Sequence, residues 1–336
     1  MTRQIQVCVL GAGSWGTTVA SLVAANAHVT LWARRAEQAA EIDETHVNGT
    51  YLPGMQLHPA LRATGSIEDA VWPADVLVVG VPSHGFRATL EEAAKFVRPW
   101  IPIVSLSKGL ERGTAKRMTQ VIDDVLPGHP VGVLAGPNLA REVLAGYAAA
   151  AVIAMADERV ARSLQGLFVS HVFRVYTNTD VLGCELGGAL KNVIAIAAGM
   201  AEGLGVGDNT RAMVITRGLA EITRLGVAMG ADQRTFAGLS GLGDLMATCM
   251  SPLSRNRTVG ERLARGQGID QITSEMKMVA EGIKTCRVVL ELADRYGVDM
   301  PIVREVDGVV NDGRGPIDAY RGLIRIAPTS EIHGIA

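Results

Sequence analysis

Gln6-Val-Cys-Val-Leu10 runs directly into Gly11-Ala-Gly13-Ser-Trp-Gly16, and that loop into a helical stretch over Thr17–Ala25. A short apolar run, glycines at G-x-G-x-x-G spacing and a helix start make the strand–turn–helix setting that gives this fingerprint its weight. Gly11 suits a tight turn, Gly13 lets the backbone approach a pyrophosphate, and Gly16 lets the helix pack against the sheet. Free N–H groups and the dipole at the helix start favour the phosphates' negative charge.

The same alternation continues outward. Candidate strands are Gln6–Leu10, His28–Trp32, Asp75–Val79, Pro102–Ser105, Val131–Leu134 and Ala149–Met155, with Val172–Val175 as a seventh. Several are unbroken Val/Ile/Leu runs, which suit strands buried on both faces of a parallel sheet. Helical stretches over Thr17–Ala25, Phe86–Phe96, Met118–Val125 and Glu158–Phe168 lie between most of them. From about Asp180 only helical patterns remain: Val181–Ala201, Arg211–Gly226, Thr258–Ala264, Glu281–Tyr296 and Ile302–Asn311. In the second of these, Arg217, Glu221 and Arg224 are expected on one charged face, with Met213, Leu219 and Ile222 opposite. The fold class is α/β: a Rossmann-type doubly wound sheet over residues 1–178, followed by an all-helical second domain over 179–336.

The ribose selector comes next. An acidic residue about 20 positions beyond the glycines, at the end of the second strand, would bind the 2′-hydroxyl of NAD. Here the strand ends Leu31-Trp-Ala-Arg34-Arg35, and two cations stand where the acid should be. They can pair with a 2′-phosphate, so NADP(H) is favoured. Glu37 follows closely and leaves NAD(H) open.

Composition excludes several other classes. With 32 Lys and Arg against 34 Asp and Glu, the net charge of −2 argues against nucleic-acid binding. Glycine is abundant, 38 of 336 residues, as close backbone approaches would require. The four cysteines, Cys8, Cys184, Cys249 and Cys286, form no C-x-x-C pair and fit a reducing cytoplasm better than disulfides or zinc. The start, Met1-Thr-Arg-Gln-Ile-Gln, has no signal-peptide run. The apolar stretch Val143–Ala156 is too short to span a bilayer, so no membrane insertion is expected. The seven histidines are scattered without an H-E-x-x-H, and no metal site is expected.

Two lysines carry the candidate chemistry. Lys108, in Ser105-Leu-Ser-Lys108-Gly109, follows the fourth strand, whose carboxyl end belongs to the ligand crevice. The tetrad also matches the S-x-x-K of serine β-lactamases, but the companion S-D-N and K-T-G are missing. Lys191 sits in a nearly uncharged helix, Gly187-Gly-Ala-Leu-Lys191-Asn-Val-Ile-Ala-Ile. A lone cation there is costly without a partner or a task. Burial lowers a lysine's pKa, and a second lysine nearby pushes it further, which suits a general acid beside a carbonyl under reduction. The plainer reading is a lysine snorkelling at a helix edge. A third group, Leu239-Ser-Gly-Leu-Gly243-Asp244-Leu-Met-Ala-Thr248 followed by Ser254-Arg255-Asn256-Arg257-Thr258, offers the materials of a phosphate cradle. Asp244 either orients a lysine ammonium or, with Ser254, merely caps a helix.

Taken in order, nine short segments resemble those of the bacterial NAD(P)-dependent glycerol-3-phosphate dehydrogenases. They are Gly11-x-Gly-x-Trp15-Gly16, Asn48-Gly-Thr-Tyr51-Leu-Pro-Gly54, Val81-Pro-Ser83, Ser107-Lys108-Gly109, Ala135-Gly-Pro137, Leu190-Lys191-Asn192, Gly241-Leu-Gly-Asp244-Leu, Ser254-Arg-Asn256 and Val279-Ala-Glu281-Gly282. The resemblance implies reversible reduction of dihydroxyacetone phosphate to sn-glycerol 3-phosphate, feeding glycerophospholipid synthesis, in a cytoplasmic and commonly dimeric enzyme. It makes Lys191 the proton donor, with Lys108 and Asp244 in the same site. It assigns Gly136, Asn138, Ser254, Arg255 and Asn256 to the substrate. Ser14, Trp15, Arg34, Arg35, Tyr51, Lys108, Ala140, Arg255, Val279 and Glu281 go to the dinucleotide, and Asn192 and Thr248 act as supporting polar residues. One departure stands out: where the family usually has Ser or Thr and then an aromatic or His, this chain has Asn138 and Leu139. Two rival readings share the glycine loop: a related hydroxyacid or 6-phosphogluconate dehydrogenase, and a dinucleotide sensor without turnover.

Overall fold

The computed structural model describes residues 4–276 and 280–325; the expected contact at Val279 lies outside the described residues. The chain forms two compact units. One comprises Met1–Ser107 with Lys116–Val181, the other Lys108–Ala115 with Leu182–Ala336.

The first unit is built on eight strands: β1 Gln6–Leu10, β2 His28–Trp32, β3 Arg62–Thr64, β4 Val76–Val79, β5 Ile103–Ser105, β6 Val131–Ala135, β7 Ala149–Met155 and β8 Phe173–Asn178. They lie in the order β3-β2-β1-β4-β5-β6-β7-β8. Alternate residues of each central strand feed opposite faces. Val7, Val9, Val76, Val78 and Val104 pack with Val19 and Val23 of α1 (Ser14–Val23) and Leu164 and Phe168 of α7 (Glu158–Phe168). Cys8, Leu10, Leu77, Val79 and Ile103 pack instead with Phe86 and Leu90 of α4 (Ser83–Ala93) and Val121 and Ile122 of α5 (Met118–Val125). Both faces are covered, which is why these runs carry no polar alternation. The remaining helices of this unit are α2 (Ala36–Thr45), α3 (Ile67–Val71) and α6 (Ala140–Leu144).

Strand order reverses between β1 and β4, since β2 and β3 extend one way and β5 onward the other. Ligands of open α/β sheets bind outside the carboxyl ends at such a point. The glycine loop leaves β1 there, pinned by Gly11 N donating to Trp32 O at 3.0 Å and Gly80 N to Leu10 O at 2.7 Å.

The sheet is doubly wound and mostly parallel, with one exception: β7 runs antiparallel to β6, with Val133 opposite Ala154. The only helix between them is the five-residue α6. At about 1.5 Å per residue it covers about half the length of a five-residue strand, too little to return the chain to the sheet's other end.

The second unit is helical: α8 (Val181–Gly203), α9 (Asp208–Ala228), α10 (Gln233–Phe236), a π-helical turn over Leu239–Gly243, α11 (Asp244–Met250), α12 (Arg255–Ala264), α13 (Ile269–Glu275), α14 (Glu281–Tyr296), α15 (Pro301–Asn311) and α16 (Pro316–Ile324). By length and hydropathy alone α8 would span a membrane, yet 89% of that apolar window is buried within the protein, so it serves as the core helix of its unit. The charged face expected on α9 is corrected. Glu221 is buried, and its carboxylate accepts from Ile302 N at 2.8 Å and Val303 N at 3.3 Å at the start of α15. Met213, expected to be inward, is exposed.

Candidate active site

In the first unit the glycine loop admits few side chains. Gly11 has φ +110°, and a Cβ there would lie 2.9 Å from Val81 Cγ1 and 3.0 Å from the Gly80 backbone, so only glycine fits. A Cβ on Gly16 would collide with Gly11 O at 2.1 Å, whereas one on Gly13 would meet nothing within 4 Å. The loop is thus packed on one side and open on the other. No side chain caps the N-terminus of α1 at Gly13, which leaves first-turn N–H groups for an anion. Ser14 and Trp15 form that first turn. Trp15 stacks obliquely on Phe173 with centroids 6.2 Å apart, and its Nε1 is buried without a partner. Arg34 and Arg35 are both exposed just beyond β2, and Arg35 is the N-cap residue of α2. Tyr51 is half-buried, its N–H on Asn48 Oδ1 at 3.3 Å. Gly136 follows β6 with φ +125°, close against Ala151. At Asn138, where the chain departs from the family pattern, both amide atoms are buried and lack hydrogen-bond partners. Ala140 opens α6.

In the second unit the two lysines meet on one carboxylate. Asp244, 1% exposed, receives Lys191 Nζ on Oδ1 at 2.6 Å and Lys108 Nζ on Oδ2 at 2.8 Å. Lys191 also donates to Thr248 Oγ1, which in turn donates to Asp244 O at 2.7 Å. Asp244 and Thr248 are four apart on α11, so one helix face presents both. Lys191 is 5% exposed, which rules out the snorkelling reading. Burial is the main cause lowering its pKa to about 8; Asp244 opposes that shift and the Lys108 charge adds to it. An ammonium has three N–H groups. Two are engaged here, by Asp244 and Thr248.

Glycines make room for this cluster. A Cβ on Gly187 would stand 2.4 Å from Ser240 O, so α8 and the π-helical turn approach only because that side chain is missing. Gly188 lies under the Lys108 stem, 3.5 Å from its Cγ to an ideal Cβ. Asn192 Nδ2 holds Lys108 O at 3.0 Å, and Asn256 Nδ2 holds Asn192 Oδ1 at 2.9 Å while its own Oδ1 accepts from Gly282 N at 3.0 Å. This chain of amides fixes the backbone that carries Lys108. Ser254 does cap α12, accepting from Arg257 N at 3.3 Å, whereas Asp244 is no cap. Arg255, the first residue of α12, is exposed, and its charge interacts with that of Glu281 at the start of α14.

Sequence reasoning missed the support beneath the glycine loop. Asn48 stands in a loop-like segment and Gln38 in no motif, yet both donate to Ala12 O. No pattern in the sequence marks Gln38, and Asn48 is marked only by its place in Asn48-Gly-Thr-Tyr51-Leu-Pro-Gly54.

Comparison with known proteins identifies the family. The family described as NAD-dependent glycerol-3-phosphate dehydrogenase matches in both its parts, the N-terminus over residues 6–161 and the C-terminus over residues 180–321. A glycerol-3-phosphate dehydrogenase [NAD(P)+] 2 of Sphingopyxis alaskensis is 60% identical over 98% of this chain and 99% of its own length. A glycerol-3-phosphate dehydrogenase [NAD(P)+] of Mycobacterium avium is 56% identical over 99% of this chain and 98% of its own. The crystal structure of glycerol-3-phosphate dehydrogenase from Coxiella burnetii superposes with a TM-score of 0.92 at 32% identity, covering 96% of this chain and 99% of the other. The chain belongs to the family of NAD(P)-dependent glycerol-3-phosphate dehydrogenases, oxidoreductases that act on a CH–OH group.

Proposed function

We propose that the chain catalyses the reversible NAD(P)H-dependent reduction of dihydroxyacetone phosphate to sn-glycerol 3-phosphate. The observation that carries the chemistry is the buried Lys191–Asp244–Lys108 cluster. As the carbonyl carbon is reduced, negative charge grows on its oxygen. The third N–H of Lys191 stabilises that charge and then transfers its proton. A lysine with a pKa near 8 is mostly ammonium at neutral pH yet gives up a proton readily. Asp244 and Thr248 hold the ammonium in place, and Lys108 adds positive field on the same carboxylate. The bound dinucleotide supplies the hydride.

As a functional division, residues 1–178 form the dinucleotide-binding part, and residues 179–336, with Lys108 packed among them, supply the acid and the phosphate site. The open side of Gly13 and the uncapped α1 N-terminus suit a pyrophosphate, with Ser14, Trp15, Tyr51 and Ala140 near it in the proposal. Ser254, Arg255 and Asn256 take the substrate phosphate. The Ser254 oxygen is used in capping, but its O–H remains free to donate. The unsatisfied amide of Asn138 suits a polar ligand beside Gly136. The proposal extends to a reducing cytoplasm, which the four buried free cysteines suit, and to a homodimer. The exposed apolar side chains Leu242, Met246, Met250 and Leu253 offer surface for such an assembly.

NADP(H) is the favoured cofactor because Arg34 and Arg35 are exposed at the β2 end. The experiment measures the fall in NADPH absorbance, and separately of NADH, with dihydroxyacetone phosphate. Turnover is expected with both and faster with NADPH, and Arg34→Ala with Arg35→Ala should erase the difference. No turnover with either nucleotide would overturn the reaction, and a preference untouched by the double substitution would overturn the selector.

A further inference from the structure

The carbonyl oxygen of Ala12, in the middle of the glycine loop, accepts two side-chain amides. Asn48 Nδ2 lies 3.0 Å from it and Gln38 Nε2 2.9 Å. Asn48 is wholly buried and Gln38 is 8% exposed, so solvent offers neither amide an alternative partner. Each amide is held in turn. Asn48 Nδ2 also reaches Thr17 Oγ1 of α1 at 2.9 Å, while its Oδ1 accepts from Tyr51 N and from Gln38 Nε2, each at 3.3 Å. Arg35 donates to Gln38 Oε1 at 3.3 Å, which sets the end of that amide facing Ala12. In a trans peptide the C=O and N–H point in opposite directions, and none of the described peptides is cis. Two donors on Ala12 O therefore keep the Gly13 N–H aimed away from Asn48.

We infer that Asn48 and Gln38 are positioning residues for the dinucleotide, locking the Ala12–Gly13 peptide so that the loop's N–H groups are set for the pyrophosphate before it arrives. The inference rests on the dinucleotide reading above. A loop already ordered loses less freedom on binding, and affinity rises accordingly. The clamp acts on the phosphates, which NADPH and NADH share, so it strengthens both alike. Arg35 has a double part, since it holds Gln38 and also lies at the ribose end.

The test titrates the full-length protein with NADPH and with NADH, following nucleotide fluorescence, for Asn48→Ala and Gln38→Met. Each substitution removes one of the two hydrogen bonds on Ala12 O, worth about five-fold, so Gln38→Met should weaken both nucleotides about five-fold, and Asn48→Ala, which also releases Thr17 and Tyr51, about ten-fold or more. The NADPH-to-NADH affinity ratio and the KM for dihydroxyacetone phosphate should stay unchanged. Should Asn48→Ala not fold, Gln38→Met carries the test, because it keeps the side chain's shape and loses only its polar ends. Wild-type affinity in a folded Gln38→Met protein would overturn the inference. So would an equal rise in the triose phosphate KM, the mark of general loosening. Weakened nucleotide binding in a protein that turns over no triose phosphate would sink the reaction assigned above and leave the clamp standing.

Discussion

Asp244→Asn removes one negative charge from between two ammonium groups while hardly changing size. In the native site the carboxylate lies 2.6 Å from Lys191 Nζ and 2.8 Å from Lys108 Nζ and is almost fully buried. Burial and the Lys108 charge already hold Lys191 near 8, and the carboxylate is what keeps it from falling lower. An opposite charge at this range is worth about 1–3 pKa units, so the variant's Lys191 should titrate near 6. At about pH 7 the ammonium fraction then drops from about nine-tenths to about one-tenth, a loss of roughly ten-fold in the form that donates a proton. The assay is the pH profile of kcat for carbonyl-dependent NADPH oxidation at saturating substrates, with thermal melting to confirm the fold. The wild-type rate should decline above about pH 8, and the variant's decline should begin about two units lower. In the oxidative direction, which needs the neutral amine, the acidic limb should move down by the same amount. A folded variant whose alkaline limb stays near that of the wild type would refute the assignment of Asp244 as the group that sets Lys191.

Two further predictions concern the frame around the site. Burial raises the Glu221 carboxyl from 4.5 to about 7 in the folded protein, despite the two N–H groups of α15 that it accepts. The group's favourable contribution is complete below the unfolded value and is lost as pH rises through the folded one, on the order of 3 kcal/mol in all. Glu221→Gln should therefore flatten the fall in melting temperature between about pH 5 and about pH 8, and parallel curves for the two proteins would contradict this. Gly187→Ala places a methyl 2.4 Å from the Ser240 carbonyl and should destabilise by about 1–3 kcal/mol in denaturant unfolding, whereas Gly188→Ala meets only ordinary contacts and should hold or gain stability. Equal stability of the two variants would show that the close approach is not as described.

The elements most legible in the sequence are those whose own composition carries the pattern. β1 and β7 are almost wholly apolar and β2, His-Val-Thr-Leu-Trp, is rich in β-branched and aromatic residues, and their observed bounds match the expected ones. β3 escaped notice because three residues, Arg62–Thr64, at the sheet's edge carry no pattern. α2 escaped because only Gln38, Ala39 and Ile42 of its ten residues are buried. The direction of β7 is not encoded in its composition at all, only in the shortness of α6. At the site, residue types and glycine spacing pointed to Lys108, Lys191 and Asp244, but the alternative roles of Asp244 stayed open in sequence. Its partners lie 53 and 136 positions away, and a cap would look the same locally. Glu221 misled for a related reason. Its neighbours on the helix wheel are arginines, while its true partners are backbone N–H groups 81 and 82 residues on.

The central claim is that Lys191 protonates the reduced carbonyl oxygen, and Lys191→Met tests it most directly. Methionine fits a buried helix position, and Asp244 keeps Lys108 as its counter-charge. With nucleotide affinity and melting temperature close to wild type, kcat for dihydroxyacetone phosphate reduction should fall by roughly 10²-fold or more. A folded, nucleotide-binding Lys191→Met protein that reduces the triose phosphate at the wild-type rate would contradict the account.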